Sequence, residues 1–351
     1  MKERRQATKR KRPKITLAAL EPRILERLER GESSENEDII AEMIETVLKL
    51  DEDSASRGDL KILVRTLKEL RYAFKVFAPY RLTRKVSIFG STRVQEGDPH
   101  YRMAVELSRR LGEEGFMVIT GAGDGIMQAG HEGAGRERSF GVNIQLPFEQ
   151  KPNRFITDDP KLITFHFFFT RKLIFVKEAD AGVFFPGGFG THDEAIEALT
   201  LAQTGKSQLI PILLVDLPGQ GYWRRWESFV RREMLQRGYI SEQDLNFFRI
   251  VEDVEVAVQE IRKFYRNYHS SRFVGWDLVI RLLRPPTPDL IEKLNRDFQD
   301  ILTDGEVRET APLAEEYDDA DNLSLYRLLV PFNRRDFGRL RQMIDTLNED
   351  Y

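Results

Sequence analysis

The chain has 351 residues, of which 41% are hydrophobic and 32% are charged, and its formal net charge is −3. This composition is typical of a globular protein and gives no overall attraction to nucleic acids or membranes. The absence of cysteine excludes disulfides, thiolate catalysis and cysteine-ligated metals. No apolar run approaches the roughly 20 residues of a membrane span, and the N-terminus lacks an apolar secretory segment, so we expect a cytoplasmic protein.

The first 14 residues form a basic segment, MKERRQATKRKRPK, with eight Lys or Arg and one Glu. It can be interpreted as a flexible solvated tail or as an arm for a nucleic acid or an acidic partner. Because the segment has almost nothing apolar to bury, we favour the tail. Residues 15–81 predict a helical N-terminal extension, since apolar residues recur there every three or four positions.

Residues 82–268 predict an α/β domain, because short apolar runs alternate with amphipathic helical segments. This alternation indicates a doubly wound, Rossmann-like parallel sheet covered by helices on both faces. Ligands of such sheets bind outside the carboxyl ends of the strands. Three glycine clusters fall at that edge, at Gly90, Gly121–Gly125 and Gly187–Gly190, so we expect a nucleotide-type ligand.

Residues 269–351 predict a helical C-terminal extension. Three prolines at 285, 286 and 288 punctuate two helices, and an acidic loop at 315–322 precedes a last helix.

The cluster Gly121–Gly125 reads G-x-G-x-G, which differs from the G-x-G-x-x-G of dinucleotide-binding folds. No acidic residue follows about 20 positions later, and no P-loop motif occurs, so neither NAD nor a P-loop nucleotide site is favoured. Two interpretations stay open for this cluster. Its bare backbone can direct N–H groups at an anion, or it can allow close packing of a helix on the sheet.

Residues 184–194 read FFPGGFGTHDE, between a buried strand and a helix. Thr191 and Glu194 have the spacing of a helix capping box, in which the glutamate would serve only the helix end. A capping box leaves Gly187, Gly188 and Gly190 unexplained. A glycine turn before a helix N-terminus can bind phosphate, with Glu194 directed beside the phosphate toward a sugar.

Arg171 and Lys172 begin the preceding predicted helix and can add positive charge at this edge. Five phenylalanines surround them, and we expect most to be core, although they could wall a pocket for a flat base. These are Phe165, Phe167, Phe168, Phe169 and Phe175. The five histidines show no paired spacing, so no metal site is expected, and His131 is expected on a helix surface.

These segments, in this order, resemble the LONELY GUY (LOG) family, long labelled "possible lysine decarboxylase". Residues 186–194 match its PGGxGTxxE signature, and the TRK, GAGDGIM and GSTR segments match its other motifs. The resemblance covers about residues 85–265, and the flanks are similar to those of longer bacterial members. Two residues depart from the common pattern: Ala122 replaces a glycine, and His192 replaces an apolar residue.

The resemblance implies hydrolysis of the N-glycosidic bond of a purine nucleoside 5′-monophosphate, such as AMP or an N6-substituted AMP. The products would be the free base and ribose 5-phosphate, with Arg171 and Glu194 as the catalytic pair and no cofactor. Substrate contacts are expected at Gly90, Ser91, Gly121, Gly123, Gly125, Met127, Lys172, Gly187, Gly188, Gly190 and Thr191. The family commonly forms dimers, so a homodimer or a higher homo-oligomer is expected.

The alternative is a non-catalytic protein of the same fold that binds or senses a nucleotide or a cofactor. Retention of both Arg171 and Glu194 favours the enzyme. The sequence does not choose the base.

Overall fold

The computed structural model describes residue 22, residues 36–147 and residues 151–349. They belong to two compact units, which divide between Arg65 and Thr66. The basic segment 1–14 lies outside the described residues. Apart from residue 22, so do residues 15–35 of the predicted N-terminal extension.

The first unit is helical where it is described. Helix α1 spans Glu37–Glu52, and helix α2 spans Arg57–Phe77, so that α2 crosses the boundary between the units. Helix α1 contains no buried residue. Its large apolar side chains are about half exposed: Ile39, Met43, Ile44, Val47 and Leu48.

A seven-stranded sheet forms the centre of the second unit. Its strands are β1 (Lys85–Phe89), β2 (Met117–Thr120), β3 (Ser139–Ile144), β4 (Leu162–Phe165), β5 (Ala181–Phe184), β6 (Ile212–Val215) and β7 (Phe248–Val251). Their order is β4-β3-β2-β1-β5-β6-β7, and every pair is parallel. The predicted doubly wound sheet is therefore confirmed.

Helices cover both faces of this sheet, which explains why its strands are apolar throughout. They are α3 (Pro99–Glu113), α4 (Ile126–Ala134), α5 (Phe168–Glu178), α6 (Phe189–Gln203), α7 (Tyr222–Phe229) and α8 (Val254–Phe264). Apolar residues of α3, α4 and α8 share one core with β1, while those of α5, α6 and α7 pack on the opposite face.

The strand order reverses between β1 and β5. From β1 the chain proceeds outward to β4, then crosses to β5 and proceeds outward in the other direction. The turns after these two strands touch, because the Ser91 amide donates a hydrogen bond to the Pro186 carbonyl oxygen at 3.1 Å. Such a switch point is where doubly wound sheets bind their ligands.

The second half of α2 belongs to the α/β unit, which therefore begins at Thr66 rather than at residue 82. Ala73 and Phe77 are buried against the sheet. Glu69 is also buried and accepts hydrogen bonds from Thr170 Oγ1 at 2.7 Å and from the His166 amide at 3.0 Å. Helix α2 thus fixes the start of α5, on which Arg171 lies.

The C-terminal region is mixed rather than only helical, which corrects the prediction. It contains strands β8 (Tyr268–Val274), β9 (Asp277–Leu282), β10 (Arg308–Glu309) and β11 (Tyr326–Val330), with helices α9 (Pro288–Asp297) and α10 (Phe337–Leu347). The strands form an antiparallel sheet in the order β10-β11-β9-β8.

Two of these strands could not be predicted from the sequence because each contains a buried arginine. Arg281 in β9 and Arg327 in β11 are both buried, and both donate hydrogen bonds to the buried carboxylate of Glu316. The arginines interrupt the apolar runs in the way that charged residues interrupt an amphipathic helix.

We predict that Glu69→Ala will lower the free energy of unfolding by about 1.5–3 kcal/mol, because buried donors on α5 lose a charged acceptor. Since the start of α5 is released, activity should fall as well. Thermal and denaturant unfolding test this, with Glu113→Ala as the control. Glu113 is exposed and pairs with Arg109 on the same helix, so its loss should cost at most about 0.5 kcal/mol. Equal effects of the two variants would contradict the role of Glu69.

Candidate active site

The three glycine loops meet at the switch point between β1 and β5. The first contains Gly90, the second loop contains Gly121–Gly125, and the signature turn contains Gly187–Gly190. The Ile126 amide donates a hydrogen bond to the Ser91 carbonyl oxygen at 3.1 Å. Gly125 has a φ of +65°, and a Cβ there would lie 2.2 Å from the same oxygen. A Cβ at Gly187 would lie 2.1 Å from Thr191 Oγ1 and 3.1 Å from the Ser91 nitrogen. Ser91 is therefore held between the second loop and the signature turn.

The second loop brings two predicted substrate residues together. A Cβ at Gly121 would lie 2.7 Å from Met127 Sδ and 4.0 Å from Arg171 Nη1. The Gly123 carbonyl oxygen accepts a hydrogen bond from Asn153 Nδ2 at 2.9 Å. At Gly90, close packing is the reason for glycine, because a Cβ would meet the Ile126 side chain at 2.7 Å.

Packing does not explain the other two glycines of the signature turn. Gly188 and Gly190 are exposed, and a Cβ at either would meet no protein atom within 4 Å among the described residues. Gly188 has a φ of −86°, which any residue adopts. Helix α6 begins at Phe189, and the first amides of a helix have no partner within the helix. Bare backbone at this place suits close approach by an anionic ligand.

The capping-box interpretation of Glu194 is wrong. Gly188 is the N-cap of α6, and no side chain caps this helix end. Thr191 lies in the first turn of the helix and Glu194 in the second. The helix begins at Phe189, two residues before Thr191, so Gly190 is helical and the extended Gly188 takes the N-cap position that the capping pattern assigns to Thr191.

Glu194 instead faces α5 and is only 6% exposed. Its Oε1 lies 3.3 Å from Arg171 Nη2, and its Oε2 lies 3.5 Å from Lys172 Nζ. The predicted catalytic pair is thus in direct contact. Arg171 also has a buried Nε without a hydrogen-bond partner among the described residues, so its guanidinium retains a donor.

Lys172 ties α5 to α6. Its Nζ lies 2.9 Å from carboxylate oxygens of both Asp193 and Glu197, in addition to Glu194. Although burial lowers it, hydrogen bonds to Glu197 and Asp193 raise the pKa of Lys172 above the ordinary value of 10.5. The ammonium is therefore charged at neutral pH and already neutralised by carboxylates.

Burial raises the pKa of Glu194 above the ordinary value of 4.5, against the opposite effects of Lys172 and Arg171. A carboxylate in this environment is poorly solvated. It is therefore a stronger base and a stronger partner for a nearby positive charge than a carboxylate in water.

His131 is buried beneath the second glycine loop, which corrects its expected place on a helix surface. Its Nε2 lies 3.0 Å from both Thr120 Oγ1 and the Phe140 carbonyl oxygen. Its Nδ1 lies near the Asn153 side chain, which in turn holds Gly123. Burial lowers the pKa of His131 to about 4, so the ring is a neutral structural support of the loop.

The phenylalanines near Arg171 divide into two groups. Phe165 and Phe175 are buried core residues, as expected for most of the five, and Phe167 is half-buried. Phe168 and Phe169 are exposed. The Phe168 ring centre lies 5.2 Å from Arg171 Cζ, which places a half-exposed aromatic ring beside the predicted catalytic pair.

A cavity of about 630 Å³ lies between α5 and α6. Glu194 and Glu197 line one end of it, while Leu173, Phe175 and Phe184 line its apolar wall. The glycine loops do not line this cavity. Glu194 therefore lies between the cavity and the open edge of the sheet.

Sequence reasoning did not identify three residues that organise this site. Glu69 holds the start of α5, Asp216 holds the start of α7, and Tyr222 contacts the signature turn. An aspartate directly after the buried strand β6 was the available signal for Asp216, whereas the contact of Tyr222 depends on tertiary structure.

Neither a metal site nor a membrane span is found in the part of the chain that the structure describes. No group of three His, Asp or Glu side chains in that part could hold a metal ion. None of its helices combines the length and the apolar character that crossing a membrane requires.

The chain is similar to several known proteins. A family profile described as "Possible lysine decarboxylase" matches residues 122–261. Cytokinin riboside 5′-monophosphate phosphoribohydrolase LOG7 of Arabidopsis thaliana is 24% identical over 211 residues, which cover 58% of this chain and 93% of LOG7. The phosphoribohydrolase LOG of Oryza sativa subsp. japonica is 29% identical over 202 residues, which cover 55% of this chain and 78% of that protein.

Residues 122–261, which include Arg171 and Glu194, match this family, and the α/β unit is similar to the LOG proteins. Its curated LOG relatives are named as phosphoribohydrolases, which cleave glycosidic bonds, so the older decarboxylase description does not describe their activity. The LOG motifs lie on the α/β unit, at the edge where its strands end.

Solved structures give only distant superpositions. The molybdenum cofactor binding protein of Rippkaea orientalis is 19% identical, with a TM-score of 0.36, covering 51% of this chain and 96% of that chain. The Moco carrier protein of Chlamydomonas reinhardtii is 18% identical, with a TM-score of 0.35, covering 52% and 96%. Superpositions at this level carry no inference about the ligand of this protein.

We predict that Glu194→Gln will lower kcat by about 10²–10⁴-fold, the usual range for a positioned acid–base group. The melting temperature should change little, because Glu194 caps no helix and Lys172 keeps two other carboxylates. Wild-type kcat should fall as the pH is lowered through a midpoint above 4.5, since the active form is ionised. The variant should lack this decline.

Asp193→Asn is the matched control for Glu194→Gln. It removes a neighbouring carboxylate from the same lysine, but Asp193 is 58% exposed and pairs with Lys172 rather than with Arg171. We expect kcat to stay within about threefold of wild type, as for other exposed ion pairs. A wild-type rate in Glu194→Gln would show that its carboxylate has no part in the chemistry.

Proposed function

We propose that this protein hydrolyses the N-glycosidic bond of a purine nucleoside 5′-monophosphate, releasing the free base and ribose 5-phosphate. The observation that carries the proposal is the contact between the buried Glu194 carboxylate and Arg171, one helical turn from exposed glycines. Together they supply a negative charge for a sugar and bare amides for a phosphate.

The 5′-phosphate is assigned to the start of α6. The amides of Phe189 and Gly190 open the helix, and its dipole favours an anion at this end. Gly188 and Gly190 leave room for phosphate oxygens to approach the backbone. Arg171 adds a guanidinium whose Nη1 lies 4.0 Å from the Cβ position of Gly121 in the second loop.

Glu194 is assigned to the reacting sugar carbon. Cleavage of the bond between C1′ and the base nitrogen gives the sugar oxocarbenium character, and a poorly solvated carboxylate stabilises this positive charge strongly. The same carboxylate can orient and deprotonate the water whose oxygen bonds to C1′.

Arg171 is assigned to binding and charge stabilisation rather than to proton donation, because a guanidinium does not lose its proton near neutral pH. Its place between Glu194 and the second glycine loop suits contact with the phosphate or with the departing base. The exposed face of Phe168 lies on the same side and can stack on a purine.

Among purine nucleotides, we propose AMP or an N6-substituted AMP as the substrate. This choice is supported by the curated relatives, which are named for cytokinin riboside 5′-monophosphates. The cavity that Glu194 lines adds space, along its wall of Leu173, Phe175 and Phe184, that a substituent on the base could use.

The proposal predicts that adenine is released from AMP with a kcat/KM at least about 10²-fold higher than from adenosine. Each charge-assisted hydrogen bond to the phosphate is worth about 1.5–3 kcal/mol, and two suffice for this ratio. Chromatography of the free base after incubation with each compound measures it, and Glu194→Gln is the control for contaminating hydrolases.

Comparable turnover of adenosine and AMP would contradict the phosphate assignment. Tight binding of AMP without any release of adenine would instead favour a non-catalytic nucleotide-binding protein.

A further inference from the structure

The hydroxyl of Tyr222, at the start of α7, reaches the signature turn from outside the LOG motifs. Tyr222 Oη donates a hydrogen bond to the Gly187 carbonyl oxygen at 2.6 Å. Burial raises the pKa of Tyr222 above its ordinary value of 10.0, so the hydroxyl keeps its hydrogen at neutral pH. Because a carbonyl oxygen can only accept, the single hydrogen of this hydroxyl points at Gly187.

The His192 imidazole contacts the same hydroxyl. Its Nε2 is 2.7 Å from Tyr222 Oη. Since the hydroxyl hydrogen is already used, the imidazole must carry a hydrogen on Nε2 and donate it to the hydroxyl oxygen. Burial lowers the pKa of His192, which favours the neutral ring with this one donor. The ring centre also lies 5.3 Å from that of Trp223, which fixes its orientation.

Asp216 fixes the backbone of Tyr222 at the start of α7. It is buried after β6, and its Oδ2 accepts a hydrogen bond from the Tyr222 amide at 2.6 Å. Its Oδ1 accepts another from the Leu217 amide at 2.9 Å. The tyrosine is therefore fixed at its backbone and at its hydroxyl, between β6 and the turn after β5.

The peptide group that receives this hydrogen bond also contains the amide of Gly188. In a planar trans peptide, the N–H points away from the carbonyl, so the Gly188 N–H is directed away from Tyr222. Donation to the carbonyl oxygen polarises the group and strengthens its N–H as a donor. Gly188 is exposed and is one of the two glycines that packing does not explain.

We propose that His192 and Tyr222 are positioning residues, which form a relay from His192 Nε2 through Tyr222 Oη to the Gly187 carbonyl oxygen. The relay holds the signature turn in place and strengthens the Gly188 amide as a donor to the phosphate. This inference rests on the proposed function, because it assigns the ligand of that amide as a phosphate. It also gives a role to His192, the residue at which the signature departs from its common pattern.

The experiment measures the affinity of ribose 5-phosphate by calorimetry, which requires no turnover. We expect Tyr222→Phe to weaken binding about five- to tenfold, since a buried hydrogen bond on the turn is lost. His192→Leu should weaken it about two- to threefold. Because His192 acts only through the hydroxyl, the double variant should bind no more weakly than Tyr222→Phe alone.

Tyr265→Phe is the matched control. Tyr265 Oη also donates to a backbone carbonyl oxygen at 2.6 Å, but to that of Asp180, which precedes β5 at the opposite end of the strand. Both tyrosine variants should lose similar stability, whereas the affinity for ribose 5-phosphate should fall only in Tyr222→Phe. With AMP as substrate, Tyr222→Phe should raise KM by a similar factor and keep kcat within about threefold.

Wild-type affinity in Tyr222→Phe, or an equal loss in Tyr265→Phe, would overturn the relay and leave the proposed function intact. Additive losses in the double variant would show that His192 does not act through Tyr222. Absence of ribose 5-phosphate binding in the wild-type protein would overturn the phosphate assignment itself, and the relay with it.

Discussion

Burying the Glu194 carboxylate against Arg171 and Lys172 is the constraint on which the rest of the site depends. An ionised carboxylate that is 6% exposed is stable only if cations compensate for its lost hydration. Both cations come from α5, so α5 and α6 must face each other at the same edge of the sheet. The buried contact of Glu69 with the start of α5 shows that α2 contributes to this alignment as well.

Two different uses of glycine surround this ion pair. Gly125 and Gly187 are required by close contacts of the loops with Ser91 and Thr191, and these contacts assemble the switch point. Gly188 and Gly190 have no such contacts among the described residues, which leaves their backbone open to the proposed phosphate. The packed glycines thus hold the turns together, while the open glycines leave bare backbone beside Glu194.

Local sequence patterns predicted the doubly wound sheet and made Arg171 and Glu194 the candidate catalytic pair, but they did not predict the contacts that hold these elements. The strands β1, β2, β5 and β6 are short apolar runs that alternate with helical segments, so they could be predicted directly from the sequence. The strands β9 and β11 could not, because Arg281 and Arg327 are buried through a distant carboxylate, Glu316. The same limit applies to His131, whose burial depends on Thr120 and Asn153, and to the false capping box at Thr191.

The most direct test of the central claim is a crystal structure of Glu194→Gln with AMP, because the variant should bind the substrate without cleaving it. We expect phosphate oxygens within hydrogen-bond distance of the backbone amides at positions 188–190. We also expect that C1′ lies beside the side chain of residue 194 and that the Arg171 guanidinium contacts the nucleotide. A nucleotide bound with its phosphate away from these amides, or with C1′ remote from residue 194, would contradict the proposed function of this site.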